Sequence, residues 1–492
     1  MPRSVASLLA ATCLVVGGVL LTSSAAPAFA APTITGSGTG TLLVPATASP
    51  LALTTPTANS PYTSVITPDS RYVYTADQVT DQIYVVDSTT NSQIAQIGVT
   101  ANSVIESSAI SSDGSHAYFA GEASSSVMII DTATNTFSGS FPVLGNPLSI
   151  ALSPDNTLLY VVSPFGLTSY ALPSGILQTT VPLGVSSSTS VVLTPDGTTA
   201  YVSDGGAAHD VNVVNTVTHT LGTPIVAGSD PFFLAISPDG STVYVVNDGD
   251  NTIQAIATAT NTIGSAVLAG SATSNFVAAV SPDGKNVYVT GGTDVAIMSA
   301  DLSDSVSIAA PGTKYGLVPS PDGKRLYAPN TNNGTLDMFN VASITVTGPA
   351  KIAAGTATTT FNLSVDDGNT PVGDYSANAL RVDILNSSSA VVATGSGTFD
   401  PTTGTATITV PTAALANGTF SIRAATGDLQ SGATIVATAT GFVVGTGIDP
   451  AGLAPTGVDA TLPLLLGGIL VLAGLVALLL VRLARRRSNR EV

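Results

Sequence analysis

Seven copies of one short pattern constrain this chain more than anything else in it: an apolar β-run, a turn built on Asp, then a second β-run centred on a tyrosine. The clearest copy runs Leu234-Ala-Ile-Ser-Pro-Asp-Gly240 and continues as Thr242-Val-Tyr-Val-Val246. The turn aspartates are Asp69, Asp113, Asp155, Asp196, Asp239, Asp283 and Asp322, separated by 44, 42, 41, 43, 44 and 39 residues. At such a turn Pro presets φ, the Asp side chain bonds nearby backbone, and Gly accepts a positive φ. The seven aspartates are therefore read as structural.

A period of roughly 40 to 45 residues made of short strands is the pattern of a β-propeller, with one four-stranded blade per repeat. Each copy also has a second half, seen in Ile83-Tyr-Val-Val-Asp-Ser-Thr-Thr-Asn91, Val127-Met-Ile-Ile-Asp-Thr-Ala-Thr-Asn135 and Ile253-Gln-Ala-Ile-Ala-Thr-Ala-Thr-Asn261. The combination of Ser-Pro-Asp-Gly, Tyr-Val-x-Asn and Val-x-Val-Ile-Asp-Thr-Ala-Thr-Asn resembles the YVTN repeat family, relatives of the lactonase-like seven-bladed propellers. The resemblance covers residues 50–342 and implies a seven-bladed propeller. Leu51-Ala-Leu-Thr-Thr-Pro56 aligns with an outer strand whose blade is missing nearby, so residues 51–56 are expected to complete blade seven and close the ring. Ile344–Thr347 is the alternative donor of that strand.

After the repeats, about seven strand-like runs separated by Asp-Gly, Asn-Gly and Gly-Asp turns predict an immunoglobulin-like β-sandwich over residues 343–445. Lys351 is the only lysine there and is read as solvated. The expected fold class is thus all-β: a seven-bladed β-propeller, then an immunoglobulin-like sandwich, then a C-terminal single transmembrane helix.

Both ends read as targeting. Residues 1–30 have the charge, apolar run and small-residue site of a secretory signal peptide, with Ala28 and Ala30 before the cut and Ala31 after it. Residues 31–49 are expected to be a flexible segment. The only cysteine, Cys13, lies in the signal, so the mature chain has no thiol for disulfides, metal or nucleophilic catalysis. Residues 446–459 form a spacer, residues 460–481 the transmembrane helix, and residues 482–492 a basic tail. Leu462 to Val481 alone is long enough to cross about 30 Å of hydrocarbon, and the five arginines behind it place the tail in the cytoplasm. The spacer holds Leu453, Ala454, Pro455, Thr456 and Gly457. A pentapeptide ending in Thr-Gly, an apolar span and an arginine tail resembles the cell-wall sorting signal of Gram-positive surface proteins, in its LAxTG variant of LPxTG. The resemblance implies that sortase cuts after Thr456 and joins it to a peptidoglycan precursor, giving a secreted, cell-wall-anchored protein made from a membrane-anchored precursor.

Charged residues are only 9% of the chain, against about 25% in ordinary soluble domains. Losing Arg3, the five tail arginines, Asp459 and Glu491 leaves 29 acidic and 8 basic residues, a net charge of −21. That surface repels nucleic acid and suits neutral glycans, proteins or cations.

Little in the sequence points to catalysis. His116, His209 and His219 have no metal-ligand spacing, no cofactor motif is present, and no metal site is expected. Asn247-Asp-Gly-Asp-Asn251 is half of a calcium loop and is read as a hairpin turn. One alignment position stands out. Seven residues before the turn aspartates come Tyr62, Glu106, Leu148, Thr189, Phe232, Phe276 and Tyr315, at the mouth of the expected channel. Tyr62, Glu106, Phe232, Phe276 and Tyr315 form an aromatic and acidic arc, a candidate ligand rim. The expectation is a non-enzymatic surface protein that presents this rim to a glycan or protein. A ligand-free structural wall component and a lactonase-like hydrolase are the alternatives.

Overall fold

A computed structural model describes residues 37–45, 50–53, 60–100, 103–184, 188–269, 275–291, 294–303, 305–348, 351–366, 380–388, 390–400, 402–426 and 434–445. Among them the chain is all-β. The first repeat folds as an antiparallel sheet of Pro61–Ile66, Tyr72–Asp77, Gln82–Asp87 and Ser92–Gly98 in sequence order. Five further sheets follow with the same order, from Ile105 to Ala309; in two of them the outermost strand is broken into two short pieces. Such repeated four-stranded sheets are the organisation of a β-propeller.

The burial pattern follows from this stacking. The second strand of each sheet is buried along nearly its whole length, as in Thr242–Asn247, because neighbouring sheets cover both faces. Fourth strands are mostly exposed, as in Thr136–Pro142 and Ile176–Val181, because they lie farthest from the stacked inner strands. The apolar cores lie between consecutive repeats. One cluster joins Tyr74, Val85, Phe119 and Met128, another joins Tyr244, Val246, Val287 and Met298, and Leu53, Val86, Tyr327 and Leu336 join the last repeat to the first. The innermost strands touch in sequence order, and Val318–Pro319 and Arg325–Asn330 of the last repeat return to Pro61–Ile66.

Polar ties cross the same interfaces. The strand-two tyrosines Tyr74, Tyr118, Tyr160, Tyr201, Tyr244, Tyr288 and Tyr327 are all buried. Tyr74 donates its hydroxyl to Asn135 Oδ1 in the next repeat, Tyr201 to Asn261 Oδ1 at 2.7 Å, and Tyr244 to the Ala300 carbonyl at 2.7 Å. Asn135 and Asn261 have φ of 55° and 53°, a conformation Asn tolerates well. On the innermost strands, Ser107, Ser149 and Ser190 Oγ accept from the backbone N–H of Ile150, Val191 and Leu234 in the following repeat, at 3.2, 3.2 and 3.1 Å.

Each turn aspartate is bonded locally. Asp239 Oδ1, for example, accepts from Ser237 Oγ at 2.6 Å and from the Ser241 N–H at 3.0 Å; Asp69, Asp113, Asp155, Asp196, Asp283 and Asp322 repeat the arrangement. At every turn but that of Asp322, the residue after the aspartate also faces the preceding repeat. Gly240 has φ +72°, and a Cβ there would lie 2.4 Å from Pro195 Cδ. Gly240→Ala therefore costs about 1–3 kcal/mol from strain and overlap, read as a lower midpoint in urea unfolding. Where Gly is absent, the side chain bridges instead: Ser70 Oγ accepts from the Asp322 N–H at 3.0 Å, and Asn156 Nδ2 donates to Ser112 Oγ at 2.7 Å.

The last repeat differs from expectation. Its third strand, Thr335–Thr347, runs through the boundary expected between residues 342 and 343. Its first half pairs with Arg325–Asn330; its second half pairs Ser343–Thr347 with 362–366. Leu51 and Ala52 pair with Leu336 and Thr335, while residues 54–56 lie outside the described residues. Ser37–Pro45, within the segment expected to be flexible, is instead a strand paired with 339–347 along all nine residues. Its sequence lacks a strong apolar pattern, but an unpaired edge on a long strand is a ready template.

Beyond residue 342, two antiparallel sheets share a core of Ile344, Phe361, Leu363, Val382, Ile384, Ile408 and Ile422. Thr358–Asp366 and Thr405–Pro411 alternate strictly between buried and exposed, as strands do with one face on a core and the other in water.

Candidate functional site

The rim residues owe their direction to an irregularity of the backbone. The register of the innermost strand slips between Pro61 and Thr63, between Ile105 and Ser107, and between Pro231 and Phe233. The skipped residues are Tyr62, Glu106 and Phe232. Each is a β-bulge, an extra residue that bends the strand and re-aims its own side chain. The innermost strands of the fourth and sixth repeats slip over 188–191 and 275–278, the stretches containing Thr189 and Phe276. The next residue, Phe233, packs into the core between sheets instead.

Three of the five expected rim residues come together. Tyr62 and Tyr315 stack with ring centroids 4.7 Å apart and planes at 22°, a favourable aromatic geometry. The Tyr62 hydroxyl lies near enough to the Glu106 carboxylate for each to shift the other's proton affinity, and Gln78 Nε2 donates to Glu106 Oε1 at 2.6 Å. Gln78 is held by the turn in which Asp77 Oδ1 accepts from the Val79 and Thr80 N–H groups at 2.9 and 2.8 Å, while Asp77 Oδ2 accepts from Ser60 N–H at 2.7 Å. Tyr62, Tyr315, Glu106 and Gln78 are all half-buried. Phe232 is half-buried in the fifth repeat, where its carbonyl accepts from Ser203 Oγ at 3.3 Å. The Phe276 side chain lies outside the described set.

The electrostatics of this cluster are unfavourable to its own charge. Burial raises the Glu106 pKa above the ordinary carboxylate range, with the charge of Glu122 adding to it; the Gln78 bond and the nearby Tyr62 hydroxyl pull the other way without overcoming it. Burial and then the Glu106 charge push the Tyr62 hydroxyl up, so it stays a donor. A raised carboxylate pKa in the folded state contributes stability that is present at low pH and lost as pH rises through the folded value. Glu106→Gln should therefore stabilise the protein at neutral pH, with the gap from the parent chain closing as pH falls below the ordinary glutamate range. Paired thermal melts from pH 3 to pH 8 check this.

Other expected residues are engaged locally. His116 Nδ1 is 2.8 Å from Ser115 Oγ, His209 Nδ1 accepts from the Asp230 N–H at 3.1 Å, and His219 occupies the left-handed turn position filled by Asn in other repeats. Asp250 Oδ2 accepts from Ser229 N–H at 3.1 Å. Among the described residues, no group of three or more His, Cys, Asp or Glu is placed to hold a metal. At the other end of the innermost strands lies a cleft of about 540 Å³ that includes Asp283, Asp322, Lys324 and Asp366. The signal residues Ala28, Ala30 and Ala31 and the motif Leu453, Ala454, Pro455, Thr456 and Gly457 lie outside the described residues, as does the 460–481 segment. Among the described residues, no helix is long and apolar enough to cross a membrane.

Sequence reasoning missed Lys314, which precedes Tyr315. Its side chain is 0% exposed, and its Nζ lies 3.2 Å from Asp337 Oδ2.

No family model matches the chain, and no curated protein matches it. Among solved structures it is similar to a chain of Kuenenia stuttgartiensis hydrazine synthase, with a TM-score of 0.52, 18% identity, and coverage of 58% of this chain and 97% of that one. At that identity the likeness bears on the fold alone.

Proposed function

We propose that this chain is a cell-wall-anchored surface protein whose seven-bladed β-propeller, carried on an immunoglobulin-like sandwich, recognises an extracellular glycan through the Tyr62–Tyr315–Glu106 rim. The observation that carries the reading is Glu106. It sits on a bulge, half-buried beside Glu122, in a setting that disfavours its ionised form. A carboxylate kept at a cost to the folded state, next to an aromatic stack, is the pattern of a binding site. The tyrosine faces offer a platform for a sugar ring, Glu106 accepts from sugar hydroxyls, and Gln78 fixes its orientation. The mature charge of −21 favours a neutral ligand.

The secretory signal, LAPTG motif, apolar 460–481 segment and arginine tail support display at the wall: sortase joins Thr456 to peptidoglycan while the remainder stays in the membrane. Seven turn-bearing repeats, returning contacts between the last and first repeats, and the pairing of Leu51–Ala52 support a closed seven-bladed ring.

Because Tyr62 and Tyr315 belong to the first and last repeats, their stack also spans the closing seam. The two roles separate experimentally. Residues 31–456 are applied to an array of neutral oligosaccharides and to isolated cell walls, alongside Tyr315→Ala and Glu106→Gln. Recognition predicts a loss of about threefold to tenfold for Tyr315→Ala, the worth of one aromatic contact, and a loss for Glu106→Gln despite its greater stability. Unchanged binding in both variants, with only the melting temperature altered, would leave a seam and no site.

A further inference from the structure

Lys314 lies in the segment leading into the innermost strand of the last repeat. Its Nζ donates to the carbonyls of Ala310, Gly312 and Pro311 at 2.6, 3.0 and 3.3 Å and lies 3.2 Å from Asp337 Oδ2. Asn330, on the second strand and 1% exposed, shares two of those acceptors. Its Nδ2 donates to Asp337 Oδ2 at 3.0 Å and to the Pro311 carbonyl at 2.9 Å. Amine and amide therefore stand side by side against one carboxylate, which Thr335 Oγ1 fixes by donating to Oδ1 at 3.0 Å. The amide is pinned there by Gly312: at φ +101°, a Cβ on that residue would lie 2.3 Å from Asn330 Oδ1. Asn330 Oδ1 is buried without a hydrogen-bond partner, a costly arrangement for a polar atom.

We propose that Lys314 and Asn330 form an intramolecular isopeptide bond, with Asp337 as the acid and base. Asp337 takes a proton from the Lys314 ammonium across their 3.2 Å contact, leaving Nζ as an uncharged amine. The freed Nζ attacks Asn330 Cγ. Asp337 relays a proton from Nζ to Nδ2, the Cγ–Nδ2 bond breaks, and ammonia leaves, so that Lys–NH2 and R–CO–NH2 become R–CO–NH–Lys and NH3. No oxidant, reductant or cofactor is needed. Burial already pushes the Lys314 pKa down, with the Asp337 charge opposing that shift, and the low dielectric that raises the cost of the ion pair removes water that would compete for the intermediate. The bond would staple the segment carrying Tyr315 to the second strand of its own sheet.

The test is mass spectrometry of the full mature protein purified from its host, denatured and digested with trypsin. The proposal expects an intact mass lower by one ammonia, no cleavage after Lys314, and peptides 286–324 and 326–351 travelling as one joined species. Asp337→Asn, which keeps the shape but cannot relay the proton, should restore the full mass and the cleavage. A full mass in the parent chain would overturn the proposal. So would loss of water with Lys314 joined to Asp337, or loss of ammonia with the two peptides separate, the result of succinimide formation at Asn333-Gly334.

Discussion

Removing residues 31–53 from the mature chain is expected to cost on the order of 5 kcal/mol or more and to make the protein self-associate. The deletion strips nine paired residues from 339–347 and two from Leu336 and Thr335. At about 0.5–1.5 kcal/mol for each net backbone hydrogen bond, that pairing alone reaches several kcal/mol. Burial of Leu43 and Leu53, 2% and 4% exposed in two separate cores, adds about 1.5–3 kcal/mol each. What remains is the 13-residue strand Thr335–Thr347 with an open edge, a template for pairing with another chain. Size-exclusion chromatography and thermal melting read both effects; a monodisperse product with an unchanged melting temperature would show that the N-terminal strands are ornamental.

A similar loss is expected from a single buried ring. Tyr244 is 2% exposed, packs against Val287 and Met298 of the next repeat, and donates to the Ala300 carbonyl at 2.7 Å. Tyr244→Ala leaves a cavity between two sheets and should cost about 3–5 kcal/mol, as for other buried aromatics. Tyr244→Phe keeps the volume and loses only the hydrogen bond, about 0.5–1.5 kcal/mol. The gap between the variants in urea denaturation measures packing against polar tie. Equal costs would mean that the Ala300 carbonyl, left without its donor, outweighs the ring.

These positions show what a sequence reveals and what it hides. The strands and turns are legible because their causes are local: Pro-Asp-Gly closes its own turn, and alternation marks a strand with one wet face. The seven tyrosines share that period, but the hydroxyl partners of Tyr74, Tyr201 and Tyr244 lie in the following repeat, and Asn135 or Asn261 looks like an ordinary turn residue until the two are joined. The rim position could be found by alignment. Its bulge could not, because one extra residue in a strand leaves no mark in composition. Ser37–Pro45 reads as a loose Gly and Thr segment, and only the distant edge at 339–347 makes it a strand. Lys314 sits in Gly-Thr-Lys-Tyr-Gly, which reads as a solvated loop; its partner Asp337 is on another strand.

The proposed display of the propeller at the wall is tested by fractionation of the native host. Cells are extracted with detergent, the residual wall is digested with muramidase, and the C-terminal peptide of the protein is identified by mass spectrometry. Wall attachment predicts release by muramidase alone, with a peptide that ends at Thr456 and carries cross-bridge residues. Release by detergent, with the arginine tail through Val492 intact, would contradict it.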